Sequence, residues 1–133
     1  MVGCDSGGGT PTDPSQVVIE FTTTDLVVGT GPAAAVGNAV TVNYTGWLYN
    51  SQGQDSKGQQ IDSSLLPGRP PLALTLGARA YIPGFEQGIV GMRLGGKRRV
   101  YIPASLAYGS QGNGPVPPNA AVVFELELMT LVQ

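Results

Sequence analysis

One short amphipathic helix among segments that otherwise pattern as strands constrains this chain most. Tyr81-Ile-Pro-Gly-Phe-Glu-Gln-Gly-Ile-Val-Gly-Met-Arg-Leu-Gly-Gly96 is the only segment with the character of a substantial helix. Pro83 suits the first helical position, where a missing N–H is no loss. Phe85, Ile89 and Met92 recur at spacings of four and three and make one apolar stripe. Gly95 and Gly96 are expected to end the helix, because glycine readily takes the left-handed conformation of a C-terminal cap. The stripe needs an apolar surface, and the concave face of a twisted sheet supplies one. The N–H groups of the first turn have no partner inside the helix. Beside aromatic and aliphatic side chains, such an N–H becomes a lone donor in a dry pocket.

The sequence around this segment is built mainly from short strand patterns. Val17–Thr23 is β-branched and aromatic and predicts a strand, with a shorter one at Leu26–Val28. Val40, Val42 and Tyr44 alternate with polar residues, as do Leu72, Leu74 and Leu76. Lys97–Ile102 is a further strand, and Ala121–Leu131 is the longest, with Phe124, Leu126 and Leu128 on one face. Glu125 and Glu127 on its other face can pair with the Lys97-Arg98-Arg99 run if the two strands are neighbours. Asn50–Gln60 is polar with two glycines and predicts a surface loop. The fold class expected is α+β: an antiparallel sheet of about five strands curled around one short helix. Residues 1–15 are mostly Gly, Ser, Thr and Pro and form a tail, leaving residues 16–133 as one domain.

Composition narrows the chemistry. The 133 residues contain no histidine, which excludes Ser-His-Asp and Cys-His relays and histidine metal sites together. One cysteine, Cys4, can form neither an internal disulfide nor a cysteine metal cage. Seven basic against nine acidic residues give no reason to expect nucleic acid. Three motif matches dissolve on inspection. Gly91-Met-Arg-Leu-Gly-Gly-Lys97 fits the start of a P-loop, but Arg98 stands where Ser or Thr should bind magnesium, and the glycines follow a helix instead of preceding one. The Asn50–Gln60 loop holds a single carboxylate, where a calcium loop needs several. Asn43-Tyr-Thr45 matches a glycosylation pattern inside a strand.

Four pieces are left that a plain core does not require: Val42-Asn-Tyr-Thr-Gly46, Ile61-Asp-Ser-Ser64, the helix start with Tyr81, Ile82 and Phe85, and Ala107-Tyr-Gly109 leading to Val116-Pro-Pro-Asn119. Tyr44 falls on the apolar face of its strand, and a carboxylate follows an aliphatic residue at Asp62. A buried Tyr44 bonded to Asp62 could simply satisfy two polar groups in a core. Taken in order with Leu-Gly and Phe-Glu-Leu-Glu-Leu, these motifs resemble the FKBP-type peptidyl-prolyl cis-trans isomerases, the immunophilin family, from about Val18 to Val132.

The resemblance implies a pocket between sheet and helix lined by Tyr44, Ile61, Asp62, Leu74, Tyr81, Ile82, Phe85, Tyr108 and Phe124, with Leu72 and Val116 at its edge. Ile61 and Leu74 replace the family's usual phenylalanines, and Phe85 its usual tryptophan. It further implies acceleration of Xaa-Pro bond rotation, with Ile82 N–H and the Tyr108 hydroxyl as donors to substrate carbonyls. Asp62 would orient Tyr44 or polarise the twisting amide. No metal or other cofactor is implied. The expected partners are proline-containing polypeptides and macrolides of the tacrolimus or rapamycin type, bound by a monomer. The alternative is a module of the same fold that holds proline segments, as a chaperone or scaffold, without turnover. Val-Gly-Cys4 is similar to the end of a bacterial lipobox. That similarity implies lipidation at Cys4 and a location on the periplasmic side of a bacterial cell envelope, against the alternative of a soluble cytoplasmic protein.

Overall fold

A computed structural model describes residues 17–65, 68–78 and 81–132; Cys4 and the tail lie outside them. The strands are β1 (Thr22–Val27), β2 (Ala39–Tyr49), β3 (Lys57–Ser63), β4 (Leu72–Thr75), β5 (Lys97–Ile102) and β6 (Val122–Val132), and all but β3 fall on strand patterns in the sequence. These six form one antiparallel sheet in the order β1-β5-β6-β2-β3, with β4 also paired to β2. β2 and β6 are its spine, paired from Ala39↔Val132 to Leu48↔Val122. Their inward residues, Val40, Val42 and Tyr44 against Phe124, Leu126 and Leu128, are all buried. The other edge of β2 carries β4 along its first half and β3 along its second.

The helix α1 (Pro83–Ile89) starts at the expected proline and buries Phe85 and Ile89. It lies so close to β5 that a Cβ on Gly84 would be 2.4 Å from Ile102, and one on Gly88 2.7 Å from Val100. These two glycines, four apart, are the face that meets the sheet, while Phe85 turns toward the cavity described below.

Three boundaries differ from expectation. The helix ends six residues before Gly95–Gly96. Gly91 takes φ +90°, its N–H bonds Ala34 O at 2.8 Å, and Met92 O accepts from Ala34 N at 2.8 Å, so the chain leaves the helix to pair with that segment. Met92 is still buried, although it is not helical. At the N-terminal end, the two short strands are one, Thr22–Val27, since pairing with β5 begins at Thr22↔Tyr101. Asp25, which divides the two apolar runs, stays within β1 because Arg98 Nε bonds its carboxylate at 2.8 Å. The polar loop is also shorter. Lys57–Gln60 belong to β3, and the turn is confined to residues 50–56, closed by Asn50 N–H to Ser56 O at 2.8 Å.

On the outer face Arg99 meets Glu125 at 3.0 Å and Asp55 at 3.2 Å, and Lys57 meets Glu125 at 2.5 Å. Of the basic run facing the two glutamates, Lys97 faces Glu127 in register. Arg98 turns away from them, donating to Asp25 and to the carbonyls of Gly88 and Val90. Its guanidinium ties the end of α1 to the edge strand.

Candidate functional site

The cavity begins at Gly46. This residue faces Asp62 on β3 and Phe124 on β6, and a Cβ there would lie 2.5 Å from the Phe124 ring. The missing side chain lets that ring approach β2. Two residues earlier on the same face, Tyr44 packs edge-on to Phe85 with ring centroids 5.6 Å apart. Phe85 meets Phe124 edge-on at 5.4 Å, and Tyr81 leans on Phe85 at 6.0 Å. Edge-to-face contacts of this kind suit the ring quadrupoles. The result is an aromatic wall drawn from β2, β6 and the start of α1.

Polar groups stand at the rim. The Tyr44 hydroxyl donates to Asp62 Oδ2 at 2.6 Å. Asp62 Oδ1 accepts from Arg69 Nη1 at 2.6 Å and from Ser63 N–H at 2.9 Å. Burial opposes the Asp62 charge, but hydrogen bonds from Tyr44, Arg69 and Ser63 outweigh it and hold the carboxyl below its ordinary range. Burial, and then the same carboxylate, push the Tyr44 phenol up to about 12. Tyr108 follows a short 3-10 turn at Ala104–Leu106 and is half-buried; burial first and the Asp62 charge second raise its phenol too. Its hydroxyl makes no hydrogen bond among the described residues. Ile82 caps α1 in an extended conformation (φ −61°, ψ 143°), and its carbonyl accepts from Phe85 N at 3.0 Å. The Ile82 N–H likewise bonds no described residue.

Together these groups enclose about 420 Å³, lined by Tyr44, Asp62, Leu72, Tyr81, Ile82, Phe85, Tyr108, Asn113 and Phe124. Three of the expected lining residues are not in that wall. Leu74 and Val116 are buried in the core, and Ile61 is half-buried against it. Val116 is turned inward by a tight pair of backbone bonds with Asn113, at 2.9 and 2.8 Å, and it is Asn113 that reaches the cavity. Ile61 is the extra residue of a bulge in β3, where Gly46 pairs with Asp62 and Trp47 with Gln60, and it packs against the core beside Asp62. Sequence reasoning missed Arg69 and Asn113. Each sits in a Pro- or Gly-rich connection without periodicity, where no local pattern says which way a side chain points.

The site is thus an aromatic cavity with two donors that bond no described residue and a carboxylate at its rim. The sequence model of the FKBP-type peptidyl-prolyl cis-trans isomerases matches residues 31–129. An FK506-binding protein of Neisseria meningitidis serogroup A is 43% identical over 110 residues, covering 82% of this chain and 94% of that protein. FK506-binding protein 1 of Aspergillus oryzae is 37% identical over 105 residues, covering 77% and 90%. The crystal structure of AtFKBP13 superposes with a TM-score of 0.71 at 32% identity, over 84% of this chain and 93% of that one. FkpA from Escherichia coli gives 0.70 at 34%, over 84% of this chain and 47% of that one. The chain belongs to the FKBP-type peptidyl-prolyl cis-trans isomerases, and its activity is the rotation of Xaa-Pro peptide bonds.

Proposed function

We propose that the cavity seats the prolyl ring against Phe85 and Phe124, while Ile82 N–H and the Tyr108 hydroxyl hold the two carbonyls that flank the proline nitrogen. The peptide bond resists rotation by about 18–20 kcal/mol because resonance makes it partly double. That resonance form is charge-separated, and the twisted transition state is less so. An apolar enclosure therefore favours the twisted state, and donors positioned for the rotated carbonyl stabilise it further. A barrier lower by about 4 kcal/mol gives roughly a thousandfold. Asp62 fixes Tyr44 in the wall and sets the field across the twisting amide. One observation carries this assignment: two donors from different connections, free of partners among the described residues, line one aromatic cavity beside a carboxylate already bonded on both oxygens.

The test is exchange NMR of a Leu-Pro peptide with catalytic amounts of protein. Accelerated cis-trans exchange that falls in Tyr108→Phe supports the assignment. Binding without acceleration would instead make the domain a holder of proline segments.

We also propose that unfolded, proline-containing clients are the physiological substrates. Macrolides of the tacrolimus or rapamycin type would enter the same cavity, with affinity altered by Phe85 at the floor; isothermal titration measures this directly. A lipid on Cys4, with the Gly/Ser/Thr/Pro segment after it as tether, would hold the domain at the periplasmic face of a bacterial envelope. A Gly/Ser-rich tether of about 12 residues would span roughly 20 Å. Intact-protein mass spectrometry from the native host would show the added acyl mass, and an unmodified Cys4 would refute the anchor.

A further inference from the structure

The hydrogen-bonding inventory of the cavity is lopsided. Ile82 N–H only donates, the Tyr108 hydroxyl is assigned above as a donor, the Tyr81 hydroxyl can donate or accept, and both Asp62 oxygens already accept bonds from Tyr44, Arg69 and Ser63. A peptide brings donors as well as carbonyls. Proline itself has no N–H, so the nearest donor beyond it is the N–H of the following residue. In a planar trans peptide that N–H points opposite to the prolyl carbonyl. Once a protein donor holds the carbonyl, the direction of the N–H is therefore set.

Asn113 lines the cavity and is exposed. Its backbone N–H and C=O are both spent on Val116, at 2.9 and 2.8 Å. What it can offer a ligand is its side-chain amide, which makes no hydrogen bond among the described residues. The amide oxygen is a neutral acceptor on the connection that also carries Tyr108. We infer that Asn113 is a specificity-determining residue, whose side-chain oxygen accepts the backbone N–H of the residue after proline. The site thus reads the substrate chain beyond the prolyl ring. This rests on the placement of substrate carbonyls on Ile82 and Tyr108 proposed above.

The experiment compares two peptides identical except that, in one, an ester replaces the amide following proline, which removes that N–H. Exchange NMR gives kcat/KM for each with the wild-type protein, Asn113→Ala and Asn113→Asp. One neutral hydrogen bond corresponds to about fivefold. The wild-type protein is expected to prefer the amide peptide by about that factor more than Asn113→Ala does, since the variant keeps only the preference that comes from the prolyl carbonyl. Asn113→Asp retains an acceptor and should retain the preference. The ester also weakens the prolyl carbonyl as an acceptor, but it does so for every variant, so the comparison between proteins isolates the N–H. An equal amide preference in Asn113→Ala and the wild type would overturn the inference. A wild-type protein that accelerates neither peptide would overturn the placement of the carbonyls instead, which is a separate failure.

Discussion

Two carboxylates in this molecule share a chemistry and differ in consequence. Asp62 lies between Tyr44 and Arg69, and Glu125 lies between Lys57 and Arg99. Burial opposes the charge of each, and hydrogen bonds from the flanking donors more than compensate, so both titrate below their ordinary range. Glu125 faces the outside of the sheet, where Lys57 also stacks over Trp47 at 4.1 Å from the ring centre. Asp62 faces an aromatic cavity of about 420 Å³. A depressed carboxylate is therefore not in itself a mark of function. The mark is a cavity next to it, lined by aromatic side chains and large enough to admit part of a substrate.

The strongest way to break the comparison is to remove what makes one side a cavity. Phe85→Ala deletes a buried ring that touches Tyr44, Tyr81 and Phe124. It should destabilise the fold by about 3–5 kcal/mol, lowering the Tm by more than about 10 °C as followed by circular dichroism. An unchanged Tm would mean the aromatic wall does not support the fold. Next in size is the pair Asp62→Ala and Glu125→Ala. The first should lower kcat by about tenfold with little change in KM, because Asp62 is assigned to the transition state. The second should leave both constants unchanged. Equal losses in kcat from both substitutions would reduce Asp62 to a structural ion-pair partner.

Much of this contrast was legible before the structure. Period-2 alternation put Tyr44 and Phe124 on inward faces, and Pro83 marked the start of the helix, because these signals depend only on neighbours a few residues away. The end of the helix was misplaced because the deciding partner, Ala34, lies far back in the chain. Gly84 and Gly88 carried no periodic signal, yet they bring α1 onto Ile102 and Val100. At the site, motif order indicated Asp62, Ile82 and Tyr108. Ile61, Leu74 and Val116 lie outside the cavity wall because pairing, and not motif, sets their places: Ile61 is the extra residue of a bulge, Leu74 pairs with the buried Val40, and Val116 is held by a backbone bridge to Asn113. Arg69 went unseen for a related reason: its role comes from a seven-residue reach back to Asp62, set by the chain's path and not by any repeat.

The acid limb sharpens the comparison further. A group whose folded pKa is depressed contributes stability that is present above its unfolded pKa and lost as pH falls through the folded one. Both Asp62 and Glu125 should therefore add to the loss of stability below about pH 4, and Asp62→Asn or Glu125→Gln should each flatten that loss in acid denaturation. Activity should separate them. With no histidine in the chain, Tyr44 near 12, Tyr108 raised and Asp62 lowered, kcat/KM should be flat from about pH 6 to 9. It should fall only on the acid side, as Asp62 protonates. Glu125→Gln should leave that profile in place. A break near neutrality would point to a titrating group outside this set.

The smallest expected effect belongs to the two arginines. Arg69 is exposed, and solvent screens its pull on Asp62; its guanidinium also reaches Ser63 O at 3.0 Å and the Tyr44 hydroxyl at 3.4 Å. Arg69→Gln should therefore lower kcat/KM only about threefold. Its diagnostic signature lies in pH. Removing a cation that favours the ionised carboxylate lets the Asp62 pKa rise, so the acid limb of kcat/KM should move toward higher pH. Arg99→Gln does the corresponding thing to Glu125, where nothing reacts, and should shift acid stability while leaving the rate profile in place. If Arg69→Gln slows turnover with no movement of the acid limb, Arg69 supports the segment around Ser63 and does not act through the charge of Asp62.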